Sequence, residues 1–125
     1  MTDCLFCKIA ARQIPSTIVY EDAEFLAFKD IYPAAPVHIL VIPKQHIATL
    51  SDVDASHTEI LGKMLALAPV IAKQEGIAVS YDVHGKPHGG YKTLINSGPD
   101  GGQEIYHLHM HVVGGKPLAA LRTRE

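Results

Sequence analysis

The 125-residue sequence has no excess of positive charge, no long apolar run and only two cysteines. Its formal net charge of −2 argues against the broad basic surface that binding to nucleic acid or acidic membranes requires. No apolar stretch approaches the length of a membrane span, and the first residues lack the basic and apolar segments of a signal peptide. We therefore expect a cytoplasmic protein that binds neither nucleic acid nor membrane and holds any anionic ligand through local groups.

Composition and length predict one globular domain. The chain is 47% apolar and 19% charged, which is ordinary for a folded protein. It has no internal repeat, low-complexity tract or interdomain linker. Residues 1–125 are therefore expected to form a single domain with its own core.

The pattern of apolar residues and chain breakers predicts about five strands and two helices. The helices are expected at residues 4–13 and 56–75, the longer one starting with a capping box between Ser56 and Glu59. Residues 82–90 are expected to be a loop. The strands are expected at residues 18–20, 25–29, 37–42, 92–96 and 105–113. Their short links favour an α+β fold: a five-stranded antiparallel meander with a short N-terminal helix and one long helix against one face.

Three histidines near the C-terminus carry the strongest chemical signal. His107, His109 and His111 alternate with apolar residues, so a strand would place all three on one face. Neutral imidazole is a nucleophile and imidazolium a general acid near neutral pH, but the same spacing suits a metal site. The spacing alone favours the two interpretations about equally. The intervening residues are expected to pack into the core: Tyr106, Leu108, Met110 and Val112.

Another histidine, His38, lies inside a predicted strand that is otherwise apolar. A polar side chain buried there needs a partner. On its own, a core histidine bonded to the backbone is the better interpretation. If the strand with the three histidines pairs nearby, His38 becomes a fourth imidazole at one site.

The two cysteines form a CxxC pair at Cys4 and Cys7. Taken alone, the pair is half of a zinc site, a redox pair or a coincidence. No strand precedes it, as a thioredoxin-type motif requires, and the chain has no second CxxC. Two histidines would have to complete a zinc site, and composition does not choose among the eight available. His57, His84 and His88 are expected to be solvated surface residues.

The segment that leads into the three histidines is rich in glycine. Gly98, Gly101 and Gly102 lie between Asn96 and Gln103. Glycines let backbone N–H groups approach an anion closely. The position just before the histidines makes this turn a candidate phosphate cradle.

The stretch His107-Leu108-His109-Met110-His111-Val112-Val113 resembles the signature of the histidine triad (HIT) family. Residues 25–31, 36–44 and 96–115 resemble HIT segments in the same order, so the resemblance covers nearly the whole chain. Chain length and the Gly-Gly-Gln lead-in are most similar to the Hint branch of that family.

The resemblance implies binding of a purine nucleotide (AMP- or GMP-like) and cleavage at the α-phosphate through a nucleotidyl-histidine intermediate. It makes His109 the nucleophile and His111 an aid to proton transfer, and it places His38 at the same site. Asp30 would bind the ribose hydroxyls. The residues expected around the base are Leu5, Phe6, Ile9 and Ile31. Those expected around the phosphate are Asn96, Gln103 and the backbone of Gly101 and Gly102.

The resemblance also gives the cysteines a function. HIT proteins with an N-terminal CxxC bind structural zinc, and the matching ligands here are Cys4, Cys7, His46 and His107. No organic cofactor is implied. Hint members are homodimers that hydrolyse purine nucleoside 5′-phosphoramidates such as adenosine 5′-phosphoramidate, which makes this chain a phosphoramidase by resemblance.

Two features depart from the Hint pattern and leave alternatives open. Glu104 stands where a serine is usual, and the C-terminus lacks the Trp-containing tail of animal members. Leaving-group preference therefore does not carry over. The alternatives are a dinucleoside polyphosphate hydrolase, a nucleotidyl transferase, or a nucleotide-sensing interaction module with vestigial catalysis.

Overall fold

The computed structural model describes residues 3–119. Three short 3-10 turns supplement the regular elements, at Leu50–Asp52, Ala55–His57 and Pro99–Gly101. None of the helices in the described range is long and apolar enough to cross a membrane. In chain order the elements are α1 (Leu5–Ala10), β1 (Ile18–Glu21), β2 (Phe25–Lys29), β3 (Val37–Pro43), α2 (Thr58–Gln74), β4 (Val79–Tyr81), β5 (Pro87–Gly89), β6 (Tyr91–Leu94) and β7 (Met110–Gly114).

The main sheet has five strands in the order β1-β2-β3-β7-β6, all antiparallel. The predicted α+β fold class is confirmed, but a plain meander was wrong, because β7 inserts between β3 and β6. Met110 to Gly114 are nearly all buried, whereas the residues of β6 are exposed or half-buried. A strand buried on both faces belongs inside a sheet, which leaves β6 at the edge.

The two helices pack on opposite faces of the sheet, not on one face as expected. Strands β2 and β3 are apolar on both faces, so each face needs a cover. One cluster joins α2 to Phe25, Ala27, Ile39, Val41, Met110 and Val112. The other joins Phe6 and Ile9 of α1 to Leu26, Phe28, Leu40 and Ile42.

Of the three histidines, only His111 lies in a regular strand. Strand β7 begins at Met110, so the predicted start at residue 105 was wrong. The preceding residues leave the ladder: Leu108 N–H donates to the carbonyl of Ile47 at 2.6 Å. Without strand alternation Tyr106 is 41% exposed, contrary to the predicted core position, while Leu108, Met110 and Val112 are buried as expected.

Two other expectations were wrong in detail. The predicted loop 82–90 contains β5, which pairs with β4 in a separate two-stranded sheet. The capping box of Ser56 and Glu59 does not form, because Ser56 lies in a 3-10 turn whose cap is Asp54. Helix α2 begins at Thr58 after His57, which makes no side-chain capping bond.

Helix α1 is shorter than predicted and ends abruptly. Its N-cap is Cys4, whose Sγ accepts the N–H of Cys7 at 3.3 Å. Two residues after its last turn, Arg12 adopts a φ of 63°, a conformation that non-glycine residues rarely take. In this conformation the Arg12 guanidinium contacts the carboxylate of Glu21 on β1.

Candidate active site

A cavity of about 330 Å³ lies between α1 and the adjoining face of the sheet. Its wall contains nine predicted site residues: Leu5, Phe6, Ile9, Asp30, Ile31, Asn96, Gly102, His109 and His111. The wall also contains residues that the sequence analysis did not assign to the site: Ile14, Pro15, Ser16, Phe28, Lys29, Tyr32, Leu40, Glu104 and Ile105. Most of these are apolar or flank the motifs, and nothing in their pattern distinguishes a cavity wall from a core.

The imidazole of His109 is held in one tautomer. Its Nδ1–H donates to the carbonyl of His107 at 2.7 Å, so the lone pair is on Nε2. Burial lowers the pKa of His109 below its ordinary value, although this bond and nearby Asp30 act in the opposite direction. The ring is therefore neutral near pH 7. A neutral imidazole with a fixed Nε2 lone pair is a competent nucleophile.

A chain of hydrogen bonds fixes the next two imidazoles. The N–H of Ala34 donates to His38 Nδ1 at 3.0 Å, so the proton of His38 is on Nε2. That Nε2–H donates to His111 Nδ1 at 2.8 Å. His111 therefore carries its proton on Nε2, a buried atom with no hydrogen-bond partner among the described residues. Burial, then repulsion from His109 and His38, lowers the pKa of His111 to about 4.

Asp30 lies beside the same nitrogen of His38 that bonds His111. Its Oδ1 accepts the N–H of Tyr32 at 2.8 Å, and its Oδ2 lies 3.5 Å from His38 Nε2. Asp30, His38 and His111 have the mutual spacing of metal ligands. However, the N–H of Ala34 occupies the Nδ1 lone pair of His38. The other ring nitrogen, Nε2, therefore carries a hydrogen, which points at Asp30 and His111. This tautomer favours a hydrogen-bond relay over a metal site.

The glycine-rich turn is ordered by its own side chains. Asn96 Nδ2 donates to the carbonyl of Gly101 at 2.7 Å, and Gly102 adopts a φ of 81° that glycine tolerates. Gln103 is buried and lies outside the cavity wall. Its Oε1 accepts the N–H of Gly98, and its Nε2 donates to two carbonyls, of Ala48 and Ile105. The Gln103 amide thus holds the turn in place.

The four predicted metal ligands converge at a second cluster. Nδ1 of His107 lies 3.2 Å from Cys4 Sγ, 3.5 Å from Cys7 Sγ and 3.3 Å from His46 Nδ1. The four donor atoms all lie within 4.8 Å of one another. The Nε2–H of His107 donates to the carbonyl of Pro43 at 2.7 Å, which directs the Nδ1 lone pair towards the cluster. Two thiols and two imidazoles are a donor set for tetrahedral zinc, so these residues fit that metal.

The Cys7 thiol resists loss of its proton when no metal is bound. Burial raises the pKa of the Cys7 thiol to about 11, and the hydrogen bond and charge of Cys4 act in the same direction. A divalent cation removes the thiol proton directly, which is the chemistry this cluster supports.

The other histidines predicted at the surface lie outside both clusters. His84 is exposed, and His88 is exposed with its Nε2 3.0 Å from Asp82. His57 is half-buried, and its Nδ1 accepts the N–H of Asp54. The backbone groups of Ala34 and Pro43, which set two imidazole tautomers, are main-chain atoms that no motif can identify.

Comparison with known proteins identifies relatives along almost the whole chain. A family model described as "Scavenger mRNA decapping enzyme C-term binding" matches residues 3–122. The purine nucleoside phosphoramidase of Escherichia coli K12 is 47% identical over 123 residues, covering 98% of this chain and 96% of that protein. A 14 kDa zinc-binding protein of Zea mays is 46% identical over 116 residues, covering 91% of this chain and 83% of that protein.

Structural comparison agrees with the sequence comparison. The crystal structure of a HIT family hydrolase from Legionella pneumophila superposes with a TM-score of 0.83 at 44% sequence identity. The match covers 94% of this chain and 96% of that one. The sequence match and the structural match therefore both extend over nearly the whole chain.

Proposed function

Because this chain belongs to the histidine triad family, we propose that it is a phosphoramidase that cleaves the phosphorus–nitrogen bond of purine nucleoside 5′-phosphoramidates. The observation that carries the proposal is the pairing of a buried, neutral His109 that has an Nε2 lone pair with a neighbouring His111 whose Nε2–H has no hydrogen-bond partner within residues 3–119. One imidazole offers an electron pair and the other a hydrogen-bond donor at the same cavity. The name of the Escherichia coli relative supports the same reaction.

In the proposed first step, Nε2 of His109 attacks the α-phosphorus. A nitrogen–phosphorus bond forms to His109, the bond to the leaving amine breaks, and the amine departs with a proton. The leaving nitrogen takes that proton from water, while the neutral His111 donates a hydrogen bond from its Nε2–H to the phosphoryl oxygen. The adduct places positive charge on His109, and the His107 carbonyl that accepts its Nδ1–H stabilises that charge.

In the proposed second step, water attacks the same phosphorus and releases one proton to solvent, which balances the proton taken up by the amine. The bond to His109 Nε2 breaks, the nucleoside monophosphate leaves, and the original tautomer of His109 is restored. The bond from His107 O to His109 Nδ1–H persists through both steps, so the ring does not need to reorient.

The residues of the cavity wall support a nucleotide whose α-phosphate lies at His109. Leu5, Phe6, Ile9 and Ile31 offer an apolar surface for a base. Asp30 is the carboxylate available to ribose hydroxyls, and Asn96 and Gly102 adjoin the histidines where the phosphate would lie. We propose AMP- or GMP-like nucleotides as the ligands; the homodimer and the cytoplasmic location remain predictions.

The second cluster supports a structural role for zinc. Zinc held by Cys4, Cys7, His46 and His107 would cross-link α1 to the segment before β7. The zinc-binding relative from Zea mays supports the same assignment.

The test compares adenosine 5′-phosphoramidate with a diadenosine polyphosphate as substrates for wild-type protein, His109→Ala and His84→Ala. His84 is an exposed histidine outside the cavity and serves as the matched control. We expect wild type and His84→Ala to release AMP from the phosphoramidate, and His109→Ala to be slower by roughly 10³-fold or more. An undiminished rate in His109→Ala would refute the mechanism, and preferential cleavage of the polyphosphate would favour the alternative hydrolase.

A further inference from the structure

Phe6 lies between the metal cluster and the nucleophile. Its ring meets that of His109 edge to face, with centroids 5.1 Å apart and an interplanar angle of 87°. The same ring lies 6.1 Å from that of His107 at an angle of 65°. Phe6 is only 4% exposed, so both contacts are made inside the protein. One aromatic side chain therefore contacts both a metal ligand and the proposed nucleophile.

The backbone around Phe6 belongs to both the metal cluster and the cavity. Leu5 and Phe6 are the two residues between Cys4 and Cys7, and both line the cavity. The flanking thiols lie 3.2 and 3.5 Å from His107 Nδ1. A metal that draws the two thiols together fixes the turn that carries Leu5 and Phe6. A ligand packed against Leu5 and Phe6 fixes the same turn from the opposite side.

His107 provides a second connection between the sites. Its Nδ1 faces the cluster, while its carbonyl accepts the Nδ1–H of His109 at 2.7 Å. Its Nε2–H is anchored on the carbonyl of Pro43. Holding the His107 side chain therefore restrains the carbonyl that orients His109.

We propose that occupancy of the metal cluster and occupancy of the nucleotide cavity stabilise each other through Phe6, which is a positioning residue for His109. This inference rests on the proposed nucleotide-binding function. The first ligand to bind orders the turn and the Phe6 ring, and the second then binds a turn that is already ordered. Such coupling is reciprocal: nucleotide must tighten metal binding by the same factor that metal tightens nucleotide binding.

The experiment measures zinc affinity with and without AMP. Zinc-loaded protein is equilibrated against a chromogenic chelator in the absence of nucleotide and at saturating AMP. AMP binding is measured independently by calorimetry. In wild type we expect AMP to lower the apparent zinc dissociation constant by about tenfold, within the usual range of coupling between two sites.

Two variants distinguish coupling that requires the Phe6 ring from stabilisation of the whole folded chain by AMP. Phe6→Leu keeps an apolar side chain but removes the ring. Ile9→Leu alters another cavity-lining residue of α1, one that lies outside the CxxC turn. Any ligand that stabilises the folded chain would raise zinc affinity equally in both variants. We expect the AMP effect to fall below about twofold in Phe6→Leu and to persist in Ile9→Leu, each measured at its own saturating AMP concentration.

The outcomes distinguish this inference from the proposed function. AMP binding in wild type without a change in zinc affinity would overturn the coupling and leave the nucleotide site intact. An equal AMP effect in Phe6→Leu and wild type would overturn the assignment of Phe6. Failure of wild-type protein to bind AMP would overturn the proposed function and the coupling with it.

Discussion

Nε2 of His38 lies 2.8 Å from Nδ1 of His111, and this single hydrogen bond decides which nitrogen of His111 faces the cavity as a donor. Because the N–H of Ala34 fixes the tautomer of His38, a backbone group sets the direction of the hydrogen bond from His38 to His111. A side chain outside the cavity wall can thus determine which N–H of His111 faces the cavity.

Removing this hydrogen bond should slow turnover. In His38→Ala, Nδ1 of His111 loses its donor, and the ring can adopt the tautomer whose Nε2 lone pair repels phosphate oxygens. We expect kcat to fall by about tenfold to a hundredfold with a smaller change in KM, less than the roughly 10²–10⁴-fold typical of a group that transfers the proton itself, because His38 acts only through His111. His38→Gln, whose amide N–H can donate to His111, should recover part of the rate. Steady-state kinetics on adenosine 5′-phosphoramidate test this, and an unchanged kcat in His38→Ala would contradict it.

The lowered pKa of His111 predicts acid sensitivity of the fold. An unfolded histidine takes up its proton near pH 6.5, whereas His111 in the folded chain does so only at about 4. Between those values the unfolded state binds more protons, so stability is present above about 6.5 and is lost as the pH falls towards 4. Urea denaturation across this window should show the loss, and His111→Asn should have a shallower pH dependence. Parallel curves for the two proteins would exclude His111 as the source.

Loss of one metal ligand should lower both zinc content and stability. His46→Ala removes an imidazole from the four-ligand cluster, while His84→Ala removes another exposed histidine that does not belong to it. We expect His46→Ala to retain much less zinc after dialysis and to unfold several degrees lower, because metal binding contributes to folding. Elemental analysis and thermal denaturation provide the measurement. Full zinc occupancy in His46→Ala would rule out the proposed ligand set.

Gln103 should matter for stability. Gln103→Ala deletes three hydrogen bonds and leaves the N–H of Gly98 and the carbonyls of Ala48 and Ile105 without that partner. At about 1 kcal/mol for each bond, the free energy of unfolding should fall by roughly 2–3 kcal/mol. The exposed Gln45 provides a matched control, since Gln45→Ala should be nearly neutral. Chemical denaturation decides, and equal stability of the two variants would disprove the anchoring role.

Asp30 should recognise the ribose. Asp30→Asn keeps an oxygen acceptor but loses the charge, so AMP affinity should fall by about tenfold. The loss should vanish with 2′,3′-dideoxy-AMP, which lacks the hydroxyls that Asp30 is expected to bind. Calorimetry with both ligands and both proteins completes a double-mutant cycle. Equal losses for the two nucleotides would place the effect of Asp30 elsewhere, for example on His38.

The sequence predicted the architecture because the apolar pattern of β2 and β3 is strong. Residues 37–42 are apolar apart from His38, and they form the buried centre of the sheet. The side of the sheet taken by α1 was not predictable from its own sequence, since only Phe6 and Ile9 are buried in it. The place of β6 at the edge depends on whether β6 or β7 pairs with β3. That choice is a property of the assembled sheet.

The histidine motif predicted which residues have chemical roles, but it did not predict that they separate into a metal cluster and a cavity. Alternation treats His107, His109 and His111 as equivalent, yet His107 joins the metal cluster and the others join the cavity. The separation depends on the irregular backbone before Met110 and on the Phe6 ring beside both His107 and His109. Neither feature follows from the spacing of histidines.

The abrupt end of α1 also creates a vulnerable peptide bond. Arg12 is exposed, follows the last turn of α1 and occupies a rare backbone conformation, which makes the bond after it a favourable trypsin site. Cleavage there would cut the covalent link between the segment that carries both thiols and the rest of the chain. A zinc-bound fragment would stay attached through His46 and His107. Limited proteolysis, followed by chelation, would therefore release a short N-terminal peptide and expose the face of the sheet that Phe6 and Ile9 cover.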